Sequence, residues 1–106
     1  MMDNPHLSSI LSCGICAVIR ANSGAVLGDV AEALAEGGVT AIEVTFTVPR
    51  AHRVLEAVAD RLGDRIVLGA GTVLDPETAR IAILSGAEFI VSPTLNVNVI
   101  EMCKRY

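Results

Sequence analysis

The sequence predicts an α/β protein built as part of a (β/α)8 barrel, with parallel strands joined by helices. Four short apolar runs, at residues 15–20, 41–46, 66–71 and 88–92, recur about every 22 to 26 residues. The segments between them carry apolar residues at helical spacing. Aromatic residues make up only 3% of the chain, and an aliphatic core is typical of parallel strands covered by helices. Strands and helices that alternate in this way indicate right-handed crossovers.

Capping residues mark the expected helix boundaries. Ser23 can cap the helix after the first strand, and Pro49 stands at the expected start of the next helix. Asp75 followed by Pro76 is a cap followed by proline at the first helical position. Glycines stand two to four residues before each of the last three strands, where a left-handed helix end is favoured. Each predicted helix therefore has a plausible start or end.

Two architectures fit this alternation. An open doubly wound sheet usually has a glycine-rich phosphate loop after its first strand, whereas here the strand ends in Arg-Ala-Asn at residues 20–22. A complete barrel needs roughly 200 or more residues, and this chain supplies four strands in 106. We expect residues 3–13 to form an extra helix before the first strand and residues 97–106 the helix after the fourth. The prediction is that residues 1–106 form the N-terminal half of a single barrel domain.

Composition argues against several classes of partner. The chain is 52% hydrophobic and 19% charged, with a formal net charge of −4. Its eight basic residues are scattered, so nucleic acid is not an expected partner. The longest apolar run near the N-terminus, residues 15–19, is too short to span a membrane, and no secretory signal precedes it. We expect a cytoplasmic protein whose three cysteines stay reduced.

A carboxylate stands within the second apolar run. Strand alternation puts Ile42 and Val44 on the face that meets the helices. Glu43, Thr45 and Thr47 share the other face, which in a barrel points inside, toward the mouth at the C-terminal ends of the strands. A carboxylate there is partly desolvated, which raises its pKa and suits it to carry protons. Glu43 is therefore the candidate catalytic residue; the alternative is a structural glutamate paired with an arginine inside the barrel.

Candidate binding residues end the other strands. The third strand closes with Gly69-Ala70-Gly71-Thr72, which lacks the third glycine of a dinucleotide fingerprint but lets a ligand approach the backbone beside the Thr72 hydroxyl. Ser92-Pro93 closes the fourth strand, where the proline ends the sheet pairing. Arg20, at the end of the first, could hold a carboxylate or phosphate in its planar fork, or could pair with Glu43.

Redox and metal chemistry are disfavoured. Cys13 and Cys16 have the spacing of a thioredoxin-type pair, but such a pair opens a helix, whereas this one runs into a strand. We expect both cysteines to be buried small hydrophobic residues. His6 and His52 are isolated from each other and from any carboxylate pair, and His52 is expected on the surface of the second helix. No metal site is predicted.

Five segments of the chain carry a family resemblance: residues 17–23 (AVIRANS), 36–39 (EGGV), 42–49 (IEVTFTVP), 69–73 (GAGTV) and 85–93 (SGAEFIVSP). Together and in this order they resemble the 2-keto-3-deoxy-6-phosphogluconate (KDPG) and 4-hydroxy-2-oxoglutarate (KHG) aldolases. The resemblance implies an eight-stranded β/α barrel, usually a homotrimer, that uses no metal or other cofactor. It also implies a class I aldolase, in which a lysine forms a Schiff base with a keto-acid phosphate and releases pyruvate.

The resemblance also implies roles for single residues. Glu43 matches the glutamate that carries protons, and Arg20 matches an arginine that holds an anionic part of the substrate. Thr72 and Pro93 match positions at the pyruvate end of the site. Thr47 stands where some members have an arginine, so we expect carboxylate recognition to be arranged differently here.

The family's Schiff-base lysine lies on a strand beyond the fourth. The one lysine of this chain is Lys104, on the terminal helix, so we expect these 106 residues not to form the covalent intermediate by themselves. Two alternatives stay open. One is a sibling aldolase that acts on a 6-phosphogalactonate or 4-hydroxy-2-oxoglutarate substrate. The other is a non-catalytic half-barrel that persists as an oligomer or binding module.

Overall fold

The computed structural model describes residues 3–106 as a parallel β-sheet with helices between its strands. The helices are α1 (Pro5–Cys13), α2 (Leu27–Glu36), α3 (Ala51–Leu62), α4 (Pro76–Leu84) and α5 (Val97–Arg105). The strands are β1 (Cys16–Ile19), β2 (Ala41–Thr45), β3 (Val67–Gly71) and β4 (Phe89–Ile90). Short 3-10 helices occupy Gly24–Val26 and Gly63–Arg65.

The four strands lie side by side in the order β1-β2-β3-β4, and every pairing is parallel. This arrangement confirms the predicted alternation and is that of the first four units of a (β/α)8 barrel. One face of the sheet packs against the helices through an aliphatic core. Its members include Ile42, Val44, Leu55, Leu68 and Ala70, each at most 1% exposed.

Helix α1 lies across the N-terminal end of the sheet. The Cys13 thiol is 4.0 Å from the carbonyl oxygen of Gly38, which precedes β2. Near the other end of the helix, Nδ1 of His6 is 3.0 Å from a carboxylate oxygen of Glu88, which precedes β4. The helix begins at Pro5, because the Asn4 side chain accepts hydrogen bonds from the first turn. The expected extra helix is therefore present, two residues shorter than predicted.

Two local expectations are wrong. Helix α3 begins at Ala51 and not at Pro49. A turn precedes the helix, in which Val48 N–H donates to the carbonyl oxygen of Thr45 (3.0 Å). Arg50 then adopts a left-handed φ of 56°, so the helix can begin only after it. Cys16 is exposed and Cys13 only half-buried, so the pair is not buried in the core. Strand alternation explains the exposure, since Cys16 lies on the face of β1 away from the helices.

Candidate active site

Glu43 lies at the centre of the sheet face that points away from the helices. The strand register aligns Val18, Glu43, Gly69 and Phe89 across all four strands, so their side-chain positions share this face. The neighbours of Glu43 along the strand belong to the core on the opposite face. The predicted division into an apolar and a polar face is therefore confirmed for residues 42–45, whereas Thr47 lies in the turn after β2, which ends at Thr45.

The Glu43 carboxylate reaches along the sheet toward the C-terminal ends of the strands. Glu43 is paired in register with Gly69, yet its carboxylate lies against Gly71, two residues farther along β3. A Cβ atom on Gly71 would lie 2.7 Å from Oε2 and 2.9 Å from Cδ. The carboxylate fits at this position because Gly71 has no side chain.

The Glu43 carboxylate is buried, and in the part of the chain that the structure describes one of its oxygens has no hydrogen-bond partner to offset the loss of solvation. Glu43 is 7% exposed, and its Oε2 atom has no hydrogen-bond partner among residues 3–106. Desolvation disfavours the ionised form, so burial raises the pKa of Glu43 above its ordinary value of 4.5. A carboxyl group that holds its proton more readily than usual is suited to give and take a proton during a reaction.

A row of three threonine hydroxyls crosses the C-terminal ends of β2 and β3. Oγ1 of Thr45 is 2.8 Å from Oγ1 of Thr72 and 3.3 Å from Oγ1 of Thr47. Thr45 is 1% exposed, Thr72 is half-buried and Thr47 is exposed. The row therefore extends from the interior to the surface, at the ends of the two strands that carry Glu43 and Gly71.

Thr72 has a backbone conformation that L-residues rarely adopt. Its φ is 58°, in the left-handed region. For a β-branched residue this is a true outlier, and such strain costs on the order of 1–3 kcal/mol. Strained residues of this kind cluster at functional sites. The conformation is therefore a second reason, besides the hydroxyl row, to assign Thr72 to the candidate site.

The remaining two predicted site residues stand at the outer strands. Arg20 directly follows β1 and is exposed, and within the described chain it forms no ion pair with Glu43. The alternative of a structural Glu43–Arg20 pair is therefore not what the structure contains.

Pro93 is exposed in the loop after β4. Its neighbour Ser92 donates a hydrogen bond to the carbonyl of Val73 (2.8 Å), and this bond joins the ends of β3 and β4.

Lys104 is separated from Thr72 by the direction of α5. This helix begins at Val97, after the C-terminal end of β4, and runs back along the sheet, so its last turn, with the exposed Lys104, lies toward the N-terminal ends of the strands. There Lys104 lines a groove together with Asn4 and His6. Thr72 directly follows β3, at the C-terminal ends of the strands. His52, on α3, is exposed, as expected.

Residues 3–106 contain neither a metal-binding cluster nor a membrane-spanning helix. In this range no three His, Cys, Asp or Glu side chains come together in a way that could hold a metal ion. The longest helix, α3, has 12 residues, and none of the helices described has the length and hydropathy to cross a bilayer.

Sequence reasoning missed Thr45 and Gly71 as parts of the site. Thr45 was placed on the correct face, and the signal that could have selected it was a hydroxyl two residues after Glu43 on that face. From the sequence, Gly71 is expected only to let a ligand approach the backbone. That it makes room for a carboxylate from the neighbouring strand depends on the register of β2 and β3, which the sequence does not specify.

Several known proteins are similar to this chain in sequence and in fold. A family model for KDPG and KHG aldolase matches residues 8–106. The chain is 42% identical over 73 residues to a 2-dehydro-3-deoxy-phosphogluconate aldolase of Treponema pallidum, an overlap of 69% of this chain and 34% of the relative. It is 32% identical over 74 residues to a 2-dehydro-3-deoxy-6-phosphogalactonate aldolase of Escherichia coli, an overlap of 70% and 36%.

A solved structure of a KDPG aldolase from Legionella pneumophila, with pyruvate captured as a covalent carbinolamine intermediate, superposes with a TM-score of 0.79 and 30% identity. The superposition covers 86% of this chain and 44% of that one. The chain thus spans between about a third and a half of the length of the proteins it matches.

Proposed function

Because the chain belongs to the family of KDPG and KHG aldolases, we propose that it forms the N-terminal half of the barrel of a class I aldolase. The reaction proposed is cleavage of KDPG to pyruvate and glyceraldehyde 3-phosphate. One observation supports this proposal most strongly: the buried carboxylate of Glu43, with an unpartnered oxygen, beside the hydroxyl row at the C-terminal ends of the strands.

Glu43 is the proton carrier in this proposal. A lysine amine attacks the substrate ketone, water leaves, and the resulting iminium takes up the electron pair of the breaking carbon–carbon bond. Cleavage requires that the hydroxyl on the leaving carbon lose its proton, and the enamine that forms must then gain one at carbon to become bound pyruvate. The raised pKa of Glu43, caused by burial, fits a group that accepts the first proton and returns the second.

The other site residues are proposed to bind the substrate. Thr72 and Thr47 offer hydroxyls at the mouth, and the proposed position of pyruvate lies between Thr72 and Pro93. Arg20 is exposed and outside the ion pairs described, which leaves its guanidinium available for an anionic group of the substrate. No metal or other cofactor takes part in this chemistry.

We propose that the Schiff-base lysine comes from a part of the protein beyond these 106 residues. Lys104 lies at the wrong end of the sheet for this role. The covalent carbinolamine in the Legionella aldolase supports covalent chemistry with pyruvate in the family. We further propose that the whole protein is a cytoplasmic homotrimer, which sedimentation of the full-length protein would test.

Borohydride trapping tests the central proposal. The full-length protein, incubated with pyruvate and sodium borohydride, should gain the mass of one reduced pyruvate adduct on a lysine outside residues 1–106. The isolated 106 residues serve as the control and should gain none. A full-length protein that remains unlabelled would refute the Schiff-base proposal, and an adduct on Lys104 would refute the proposed location of the nucleophile.

A sibling activity has its own support, because one relative is an aldolase for 2-dehydro-3-deoxy-6-phosphogalactonate. That substrate differs from KDPG only in the configuration of C4, the hydroxyl-bearing carbon of the C3–C4 bond to be cleaved. Comparison of kcat/KM for the two phosphates, and for 4-hydroxy-2-oxoglutarate, separates the candidates. Preference for the galactonate compound would replace the proposed substrate but leave the proposed chemistry unchanged.

A further inference from the structure

Thr45 is the polar residue of this region to which neither the proposed chemistry nor the family resemblance assigns a role. It is 1% exposed, so a ligand at the mouth has no access to its hydroxyl. It nevertheless lies 2.8 Å from Thr72, which is proposed to contact the ligand. We propose that Thr45 is a positioning residue that fixes the Thr72 hydroxyl as a hydrogen-bond donor toward an oxygen of the bound keto acid. This inference rests on the proposed function.

The number of hydroxyl protons limits the hydrogen bonds that the three threonines can form. Each threonine hydroxyl has one proton to donate and lone pairs with which to accept. Within residues 3–106, the Thr45 hydroxyl has hydrogen-bond partners in Thr47 and Thr72. Because Thr45 can donate to only one of them, the row has two possible directions. If Thr45 donates to Thr72, the hydroxyl proton of Thr72 is free to point at the ligand. In the reverse direction, Thr72 donates its proton to Thr45 and has none left for the ligand.

The chemistry of the ligand favours the first direction when a keto acid is bound. A keto acid presents carboxylate and carbonyl oxygens, which only accept hydrogen bonds. Thr72 then has to donate to the ligand, so it accepts from Thr45 across the shorter gap of 2.8 Å, while the exposed Thr47 donates to Thr45 across 3.3 Å. Every hydroxyl is satisfied in this arrangement, and a chain of hydrogen bonds that passes through the buried Thr45 polarises its last donor.

The backbone of Thr72 explains why the side chain needs a second attachment. Its left-handed φ of 58° places the side chain in an uncommon direction. The hydroxyl of Thr45, held rigidly in the central strand β2, ties that side chain to one orientation. Without this tie, rotation of the Thr72 side chain would move its hydroxyl away from the ligand.

The test uses matched variants of the full-length protein. Thr45→Val keeps the shape but removes the hydroxyl, and Thr45→Ser keeps the hydroxyl. Thr40→Val, near the N-terminal end of the same strand, serves as the control. At saturating pyruvate, we expect Thr45→Val to exchange pyruvate methyl protons about tenfold more slowly, on the scale of one lost hydrogen bond. Thr45→Ser should recover most of the rate, and the control should match the unmodified protein.

A double-mutant cycle separates positioning from a structural effect. If Thr45 acts through Thr72, then Thr45→Val combined with Thr72→Val should be no slower than Thr72→Val alone. A merely structural role would instead lower Tm and give losses that multiply. Three-bond couplings measured by NMR should show one side-chain rotamer for Thr72 in the unmodified protein and several in Thr45→Val.

Failure of the inference and failure of the proposed function give different results. No exchange by the unmodified protein would refute the proposed function, and with it the role of Thr45 toward a keto acid. Normal exchange by the unmodified protein, with Thr45→Val equally fast or with multiplicative losses in the double variant, would overturn the inference alone. A single Thr72 rotamer in Thr45→Val would also overturn it.

Discussion

The carboxylate of Glu43, on β2, occupies the space where a side chain of Gly71, on β3, would lie. A Cβ atom at Gly71 would approach Oε1, Oε2 and Cδ of Glu43 to between 2.7 and 3.0 Å. Such distances are too short for any real contact between these atoms. The position of the acid is therefore determined by the absence of a side chain on the neighbouring strand.

Gly71→Ala should move this carboxylate. The clash involves the flexible end of Glu43 and not a backbone atom, so we expect the protein to fold and Glu43 to turn toward solvent. Greater exposure should bring the pKa of Glu43 back toward its ordinary value, measured by NMR titration of the side-chain carboxyl carbon. Gly37→Ala is the matched control, since its nearest neighbours would be 3.5 Å away. An unchanged titration in Gly71→Ala would contradict this account.

Glu43→Gln should abolish most proton transfer. The amide keeps the size of the side chain but cannot carry a proton, and loss of a general acid–base group typically slows a reaction by about 10² to 10⁴-fold. The measurement is exchange of pyruvate methyl protons with deuterium by the full-length protein. Glu56→Gln, on the exposed side of α3, is the control. Exchange at the unmodified rate in Glu43→Gln would rule out the acid–base role.

The stability of the chain should depend on the ionisation of Glu43. Burial raises its folded-state pKa above 4.5, so between the two pKa values the folded chain retains a proton that the unfolded chain has released. The free energy of unfolding therefore falls as pH rises through this range, by about 1.4 kcal/mol for each unit between the two pKa values.

Urea unfolding at a series of pH values measures this effect. Glu43→Gln lacks the titration, so its stability relative to the unmodified chain should increase from about pH 4.5 upward and become constant above the folded-state pKa. Parallel stability curves for the two proteins would show that Glu43 is not desolvated in the folded state.

Cys13 should react with alkylating agents before the other two cysteines. Backbone groups of Thr40, Ala41 and Ile15 lower the pKa of the Cys13 thiol from 9.0 to about 7. Desolvation by neighbouring atoms raises the pKa of Cys16, although that residue as a whole is exposed, and burial raises the pKa of Cys103.

Because the thiolate is the reactive form, Cys13 should be modified by iodoacetamide at pH 7 on the order of tenfold faster than the others. Peptide mapping by mass spectrometry at several pH values measures the three rates, and the rate for Cys13 should reach half its maximum near pH 7. Cys13→Ser controls for overlapping peptides. Equal rates at all three positions would contradict the expected order.

Local patterns in the sequence were sufficient for the sheet and for the face on which Glu43 lies. Alternation along β2 separated Glu43 from Ile42 and Val44 correctly, because side chains of a strand point to opposite faces whatever the neighbouring strands are. Asp75 likewise caps α4 as predicted, with its side chain accepting a hydrogen bond from Thr78 N–H (2.7 Å), because a cap involves residues close in the chain.

Side-chain contacts between different strands could not be predicted from the sequence. Whether Arg20 pairs with Glu43 depends on side-chain directions across β1 and β2, and both possibilities were physically reasonable until the geometry was known. The Thr45–Thr72 hydrogen bond joins residues 27 positions apart. The left-handed conformation of Thr72 was equally unpredictable, because threonine rarely adopts it.

Every strand after β1 pairs with the strand that leaves the ribosome just before it. Partner residues such as Cys16 and Ala41, Ala41 and Val67, or Gly69 and Phe89 are about 20 to 26 positions apart. Closure of such loops involves a smaller loss of chain entropy than pairing between strands from distant parts of a chain would. The nascent chain can therefore add one β/α unit at a time, each new strand docking on an edge already formed, while translation continues.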